Sequence, residues 1–263
     1  MFLQKRFLMF TGLILLIILV VSINLGLSDN IARAQDEKEF TTDFRLEDCQ
    51  FETKADNPYF PLERNSQLVL EGQEDGEEIR VVISVLNDTE EITLDGIGEI
   101  KTRVIEEREW AADELVEISR NFFAQCEQTS AVYYFGESVD IYENGEIVGH
   151  EGQWRAGEDG AMPGLVMPGT FLLGSRYFQE IAPDVAMDQA EHVAMGLDVN
   201  TPAGNFSRCV EVVETTPLEP GSQSVKRYCP GVGLVFDNGA ELVDFGHNIF
   251  DLDDDGESNQ DDD

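Results

Sequence analysis

The stretch EEIRVVISVL puts Ile79, Val81, Ile83 and Val85 on one side of an extended chain and Arg80 and Ser84 on the other. A period of two marks a strand with one buried face. Similar runs recur at 66–72, 99–110, 114–125, 131–135, 138–143, 146–150, 176–181, 206–214, 223–229, 232–237 and 240–245. So many strands leave room for little else, and the chain is predicted to be mainly β. Turn chemistry sets their order. Asn144-Gly145 stands between VDIYE and EIVGH, and Asn238-Gly239 between GLVFD and AELVDF. Both offer the pair of positive φ angles that a two-residue hairpin needs. TPLEPG (216–221) is placed to cap a third hairpin, between NFSRCVEVVE and SQSVKRYC. Successive hairpins build an antiparallel meander: a curved sheet, half-barrel or barrel-like single domain. One helical signal competes. In APDVAMDQAEHVAMGL, Ala186, Ala190, Val193 and Leu197 follow a 3.6-residue period behind Pro183. At most one or two short helices are expected, this one running into a strand.

The first residues break the pattern. Lys5 and Arg6 precede an apolar core from Leu13 to Val21, and a polar stretch then closes on Ala32-Arg33-Ala34. That order is an export signal, with cleavage expected after Ala34. The competing reading is an uncleaved anchor, since the run from Phe7 to Leu27 approaches the ~20 residues that span a bilayer. No Cys stands near the cleavage point, which argues against a lipid anchor. The expected organisation is a signal peptide over 1–34, one exported β domain over 35–248 and an acidic tail over 249–263. No membrane attachment is expected after cleavage, which leaves the periplasm, the cell surface or the medium.

Charge narrows the partners. The chain carries 53 Asp and Glu against 17 Lys and Arg, a net charge of −36, and loss of residues 1–34 moves it to −38. Such a surface repels nucleic acid and anionic lipid and attracts cations. It also suits a high-salt milieu, where counterions screen self-repulsion.

Four cysteines, Cys49, Cys126, Cys209 and Cys229, are an even count in an exported chain and point to two disulfides. No C-x-x-C spacing supports a zinc or redox site. If Thr216 and Ser222 close the turn PLEPG, facing positions add to 438 and Cys209 opposes Cys229, within disulfide reach. Cys49 and Cys126 then pair by elimination.

Catalytic signals are weak. Neither Ser138 nor Ser175 has the context of a nucleophile elbow, and His150-Glu151 lacks the second histidine of a zincin. The best internal candidate is Glu180, Asp188, Glu191 and His192, which together could ligate a divalent metal or move protons. The plainer reading is a solvated acidic face, and the sequence does not say whether the four converge. The rings Phe122, Phe123, Tyr133, Tyr134, Phe135 and Trp154 fit a ligand cavity or a sheet core, and core is the expectation.

The tail DLDDDGESNQDDD has calcium-loop order. Asp251, Asp253 and Asp255 stand at positions 1, 3 and 5, Gly256 at 6, Glu257 at 7, Asn259 at 9 and Asp262 at 12. It is similar to EF-hand loops and to thrombospondin type-3 loops. Position 12 is Asp rather than Glu and no second helix follows, so the expected calcium affinity is weak, ~10⁻⁴–10⁻³ M.

NPYFPL (57–62), TPLEPG (216–221) and PGVGLV (230–235), with YYFGE (133–137) and GEDGAMPGLVMPG (157–169), together resemble an uncharacterised family of exported bacterial β proteins. The resemblance implies the fold and export and supplies no catalytic residue. Members carry an acidic pair where this chain has Met187 beside Asp188. The functional expectation is a non-catalytic exported β protein that binds a ligand or a cell-surface partner. The alternative is a carboxylate-based, metal-assisted hydrolase or lyase acting on an extracellular polymer.

Overall fold

The computed structural model describes residues 39–74 and 76–250. The expected leader and the calcium-loop residues Asp251, Asp253, Asp255, Glu257, Asn259 and Asp262 lie outside them. A 3₁₀ turn, Leu46–Asp48, and the short strand β1 (Phe51–Glu52) lead into a meander. Its strands are β2 (Ser66–Glu74), β3 (Glu77–Leu94), β4 (Gly98–Ala111), β5 (Glu114–Cys126) and β6 (Val132–Glu143). Along β6 pair β7 (Glu146–Gly149), β8 (Trp154–Arg155) and β9 (Met162–Met167). β10 (Arg176–Phe178) and β11 (Glu180–Ile181) are parted only by Gln179. A second meander follows: β12 (Gln189–Thr201), β13 (Gly204–Thr215), β14 (Ser224–Cys229), β15 (Gly233–Asp237) and β16 (Ala240–His247).

Two contacts turn these meanders into one nearly closed, barrel-like sheet. β16 pairs antiparallel with β2, from Glu241 opposite Glu71 to His247 opposite Ser66. On the far side, β10 pairs with β12 and β11 with β9, so residues 176–181 join both margins. Gly164 on β9 makes this possible, because a Cβ there would collide with the backbone of Gln179. The Asn-Gly turns form as expected: φ is 53° and 77° at Asn144 and Gly145, and 43° and 113° at Asn238 and Gly239.

The helical signal in 182–197, for which at most a short helix running into a strand is expected, yields the strand alone. Ala182 bridges Ala186 across a tight turn in which Asp184 adopts φ 63°, and β12 begins at Gln189. A lone helix of that length is marginal, whereas β12 finds hydrogen-bonding partners on both edges, in β10 and β13. Ala190 and His192 are buried as alternate residues, and the period of two prevails.

Both disulfides are present: Cys49 to Cys126 with Cα atoms 5.1 Å apart, and Cys209 to Cys229 at 4.2 Å. The β13–β14 register runs from Val210 opposite Tyr228 to Glu214 opposite Ser224, which continues the expected facing of the two cysteines. Such bonds belong to an oxidising, extracytoplasmic compartment. Among the described residues no helix is long and apolar enough to cross a membrane.

Alternation divides the aromatic residues. Phe122, Tyr133 and Phe135 pack with Trp154, Val104 and Ile100 in one core. Phe123 and Tyr134 point the other way, stacked with centroids 4.7 Å apart. At the bend between Val85 and Thr89, the Arg103 guanidinium donates to the carbonyls of Thr53, Leu86, Asn87 and Asp88. With 1% exposure, Arg103 is tolerated because those acceptors replace water.

Candidate functional site

A cavity of about 280 Å³ lies between the two meanders. Its apolar wall includes Phe60, Phe123, Tyr134, Val166, Tyr228 and Leu234. Five carboxyl side chains also line it: Glu107 from β4, Glu137 from β6, Glu180 from β11, Asp188 just before β12 and Glu214 from β13. One cation, Lys226 of β14, faces them.

Three segments singled out in the sequence meet here. Asn57 of NPYFPL is held by Gln125 Oε1 through its backbone N–H, and donates through Nδ2 to the carbonyls of Ser130 and Pro168. It thereby fixes the loop that delivers Phe60 and Pro61 to the cavity. The Gly231 N–H of PGVGLV donates to the Pro58 carbonyl, and Val232 and Leu234 join the wall. GEDGAMPGLVMPG supplies Val166.

The polar groups are unevenly satisfied. Glu214 accepts from Gln179 Nε2 at 2.9 Å and pairs with Lys226 Nζ at 3.1 Å. Lys226 also lies 3.5 Å from Asp237 of β15. Burial disfavours the ammonium ion, yet Asp237 and Glu214 offset this and hold Lys226 well above its usual range. The side chains of Lys226 and Asp237 are 27% and 35% exposed, so solvent reaches this end of the site. Glu180, 7% exposed, is hydrogen-bonded to Asp188, two carboxyls that share a proton. Burial foremost, and then Asp188, drive Glu180 well above the ordinary carboxylate range. Burial and then Glu214 raise Asp188. Burial, reinforced by Glu107 and Glu117, lifts Glu137 to about 8 against hydrogen bonds from Ser119 and Tyr134. Glu107 is pushed up to about 7 by burial, with Lys226 opposing. Unlike Glu214, it has no hydrogen bond and no ion pair with any described residue, and it sits half-buried against the cavity.

The predicted cluster is only half assembled. Glu180 and Asp188 meet, while Glu191 pairs with Arg176 at 2.7 Å on the β10–β12 ladder. His192 is a satisfied core residue: Nδ1 donates to the Leu172 carbonyl, Nε2 accepts from the Tyr177 hydroxyl, and Phe171 stacks on the ring. Burial holds its pKa down at about 4, so it is neutral at ordinary pH. His150 is exposed just past β7, against the Val139 carbonyl and Asp140. Among the described residues no three His, Cys, Asp or Glu side chains have an arrangement that would hold a metal ion. Glu107, Glu137, Glu214 and Lys226 escape a search for motifs. Glu137 and Glu214 carry a subtler signal, since each stands in the apolar phase of its strand, Glu137 between Phe135 and Val139 and Glu214 after Val210 and Val212, whereas Glu107 and Lys226 carry none.

Comparison with protein-family models, with characterised proteins and with solved structures finds no match to this chain.

Proposed function

We propose that this is an exported, non-catalytic β protein that binds a small molecule inside its barrel-like sheet. The observation that carries the reading is the cavity itself, an apolar and aromatic hollow bearing a few convergent polar groups, which is how small-molecule sites are built. The leader-like residues 1–34 and the two disulfides support export followed by cleavage near Ala34. The tail from Asp251 to Asp262 is proposed, on its sequence order, as a separate weak calcium site.

The test is a thermal-shift screen of a small-molecule library against the wild type and Leu234→Trp, which fills the cavity with an indole. At least one compound should stabilise the wild type and leave the variant unmoved. A set of stabilising compounds that act equally on Leu234→Trp, or no stabilising compound at all, would sink the reading.

The hydrolase or lyase alternative finds some support in the Glu180–Asp188 pair, since carboxyls that share a proton can serve as acid and base. A hollow of about 280 Å³ admits a small molecule rather than a polymer chain. Turnover of a polysaccharide or peptide polymer that disappears in Glu180→Gln and Asp188→Asn would reverse the preference.

A further inference from the structure

Resting on the ligand-binding reading above, we infer that the cavity selects a small organic cation: an ammonium group on an apolar or aromatic body, exchanged for protons on the Glu107 and Glu137 side. Charge is unbalanced inside the hollow. Five carboxyl groups line it with one ammonium, and Lys226 is already committed to Glu214 and Asp237. Lys226 is the one cationic side chain among the described residues lining the cavity, and it forms its ion pairs with Glu214 and Asp237 rather than with Glu107, Glu137, Glu180 or Asp188. An anionic ligand would add to this excess, at a separation where unscreened like charges repel strongly. A neutral ligand would leave the acids dependent on their protons.

One acceptor on the wall is free to receive a donor: Glu107 lines the cavity from mid-β4, half-buried, with no hydrogen bond and no ion pair to any described residue. The rings of Phe60, Phe123, Tyr134 and Tyr228 line the same cavity, and an aromatic ring attracts a cation that lies over it within about 6 Å of its centre. Size agrees: about 280 Å³ lies at the small end of ligand sites and suits a small amine.

Proton exchange follows from the surroundings of Glu107 and Glu137. The titratable groups facing them are Glu109 on β4, Glu117 on β5, Tyr134 on β6, Glu180 on β11, Glu214 on β13, Lys226 and Tyr228 on β14, and Asp237 on β15. All but Lys226 are acids or phenols. An incoming ammonium displaces a proton, R–NH₃⁺ + Glu–COOH giving the ion pair and H⁺ released to solvent, with no bond to carbon made or broken. Binding therefore tightens as pH rises through the range in which these two side chains ionise.

The experiment is calorimetric titration of the full exported chain with 2-phenylethylammonium, its neutral isostere 2-phenylethanol and the anion 3-phenylpropionate. The ammonium should bind at least about tenfold more tightly than the alcohol, and about tenfold more tightly at about pH 8.5 than at about pH 6. Proton release should register as a dependence of the heat on the buffer. The anion should not bind. Glu107→Gln, checked for fold by circular dichroism, should lose the preference for the ammonium and keep the weak affinity for the alcohol. Should that variant not fold, the three-probe comparison across pH on the wild type decides alone. Equal affinity for ammonium and alcohol, without pH dependence, would overturn the cation preference and leave small-molecule binding standing. Failure of all three probes to bind at about 10 mM throughout this pH range would overturn both.

Discussion

Glu107 and Glu137 make the empty protein's stability depend on pH in the opposite sense from most surface acids. Both are raised, to about 7 and about 8, chiefly by burial. Well below pH 4.5, the ordinary value, folded and unfolded chains hold these protons alike. Between there and about pH 8 the unfolded chain releases them first, so stability falls as pH rises and levels off above about 8. A thermal melt in high salt, which screens the surface charge, should show a midpoint at least about 4 °C lower at about pH 8 than at about pH 5. The double variant Glu107→Gln, Glu137→Gln should flatten that slope; an unchanged slope would place the titrating groups elsewhere. At this scale the sequence was only partly legible. The Glu180–Asp188 contact was open to a guess from chain proximity. The opposition of Glu107 to Lys226 depends on which strands lie across the hollow, and strand spacing does not report that.

Among the elements, the segment 176–181 decides whether the sheet closes. It is short, and its two halves serve different neighbours, β12 on one side and β9 on the other. The contact is close enough that only glycine fits at 164. Gly164→Val should therefore separate β9 from β11 and open the cavity wall next to Val166. Limited proteolysis is expected to cut between residues 162 and 188 in the variant and spare the wild type, with a melting temperature at least about 4 °C lower. The long strands and both Asn-Gly hairpins were readable because each alternates over many residues or carries obligatory turn chemistry. β9 was not recognised, since MPGLVM packs nearly all its side chains and shows no alternation. The apparent helix over 182–197 misled because alanine and valine at 3.6-residue spacing also satisfy a strand whose register slips, and β12 shifts register three times.

For the whole molecule, the tail and the barrel-like domain are expected to be energetically separate. β16 ends at His247, and the last described residues are held by Phe250, which exchanges hydrogen bonds with Gln67 and lies against Trp110. Deleting residues 251–263 should leave the melting temperature in chelator within about 2 °C of the full chain, whereas deletion from Asn248 should lower it further by removing the Phe250 contacts. A peptide of residues 249–263 should bind calcium more tightly than magnesium and lose the difference when Gly256 becomes Val. Equal binding of both ions would make the tail a simple polyanion.

The pairing of β16 with β2 has a consequence in time. β2 can meet β3 as soon as both exist, but its other neighbour is the last strand of the series, some 170 positions later. A growing chain that has not reached Ala240 has no means of completing its ring, and its half-formed curve exposes an unzipped margin. Under the export proposed above, such lateness is an advantage: the sheet closes only once the final strand has come through the membrane pore.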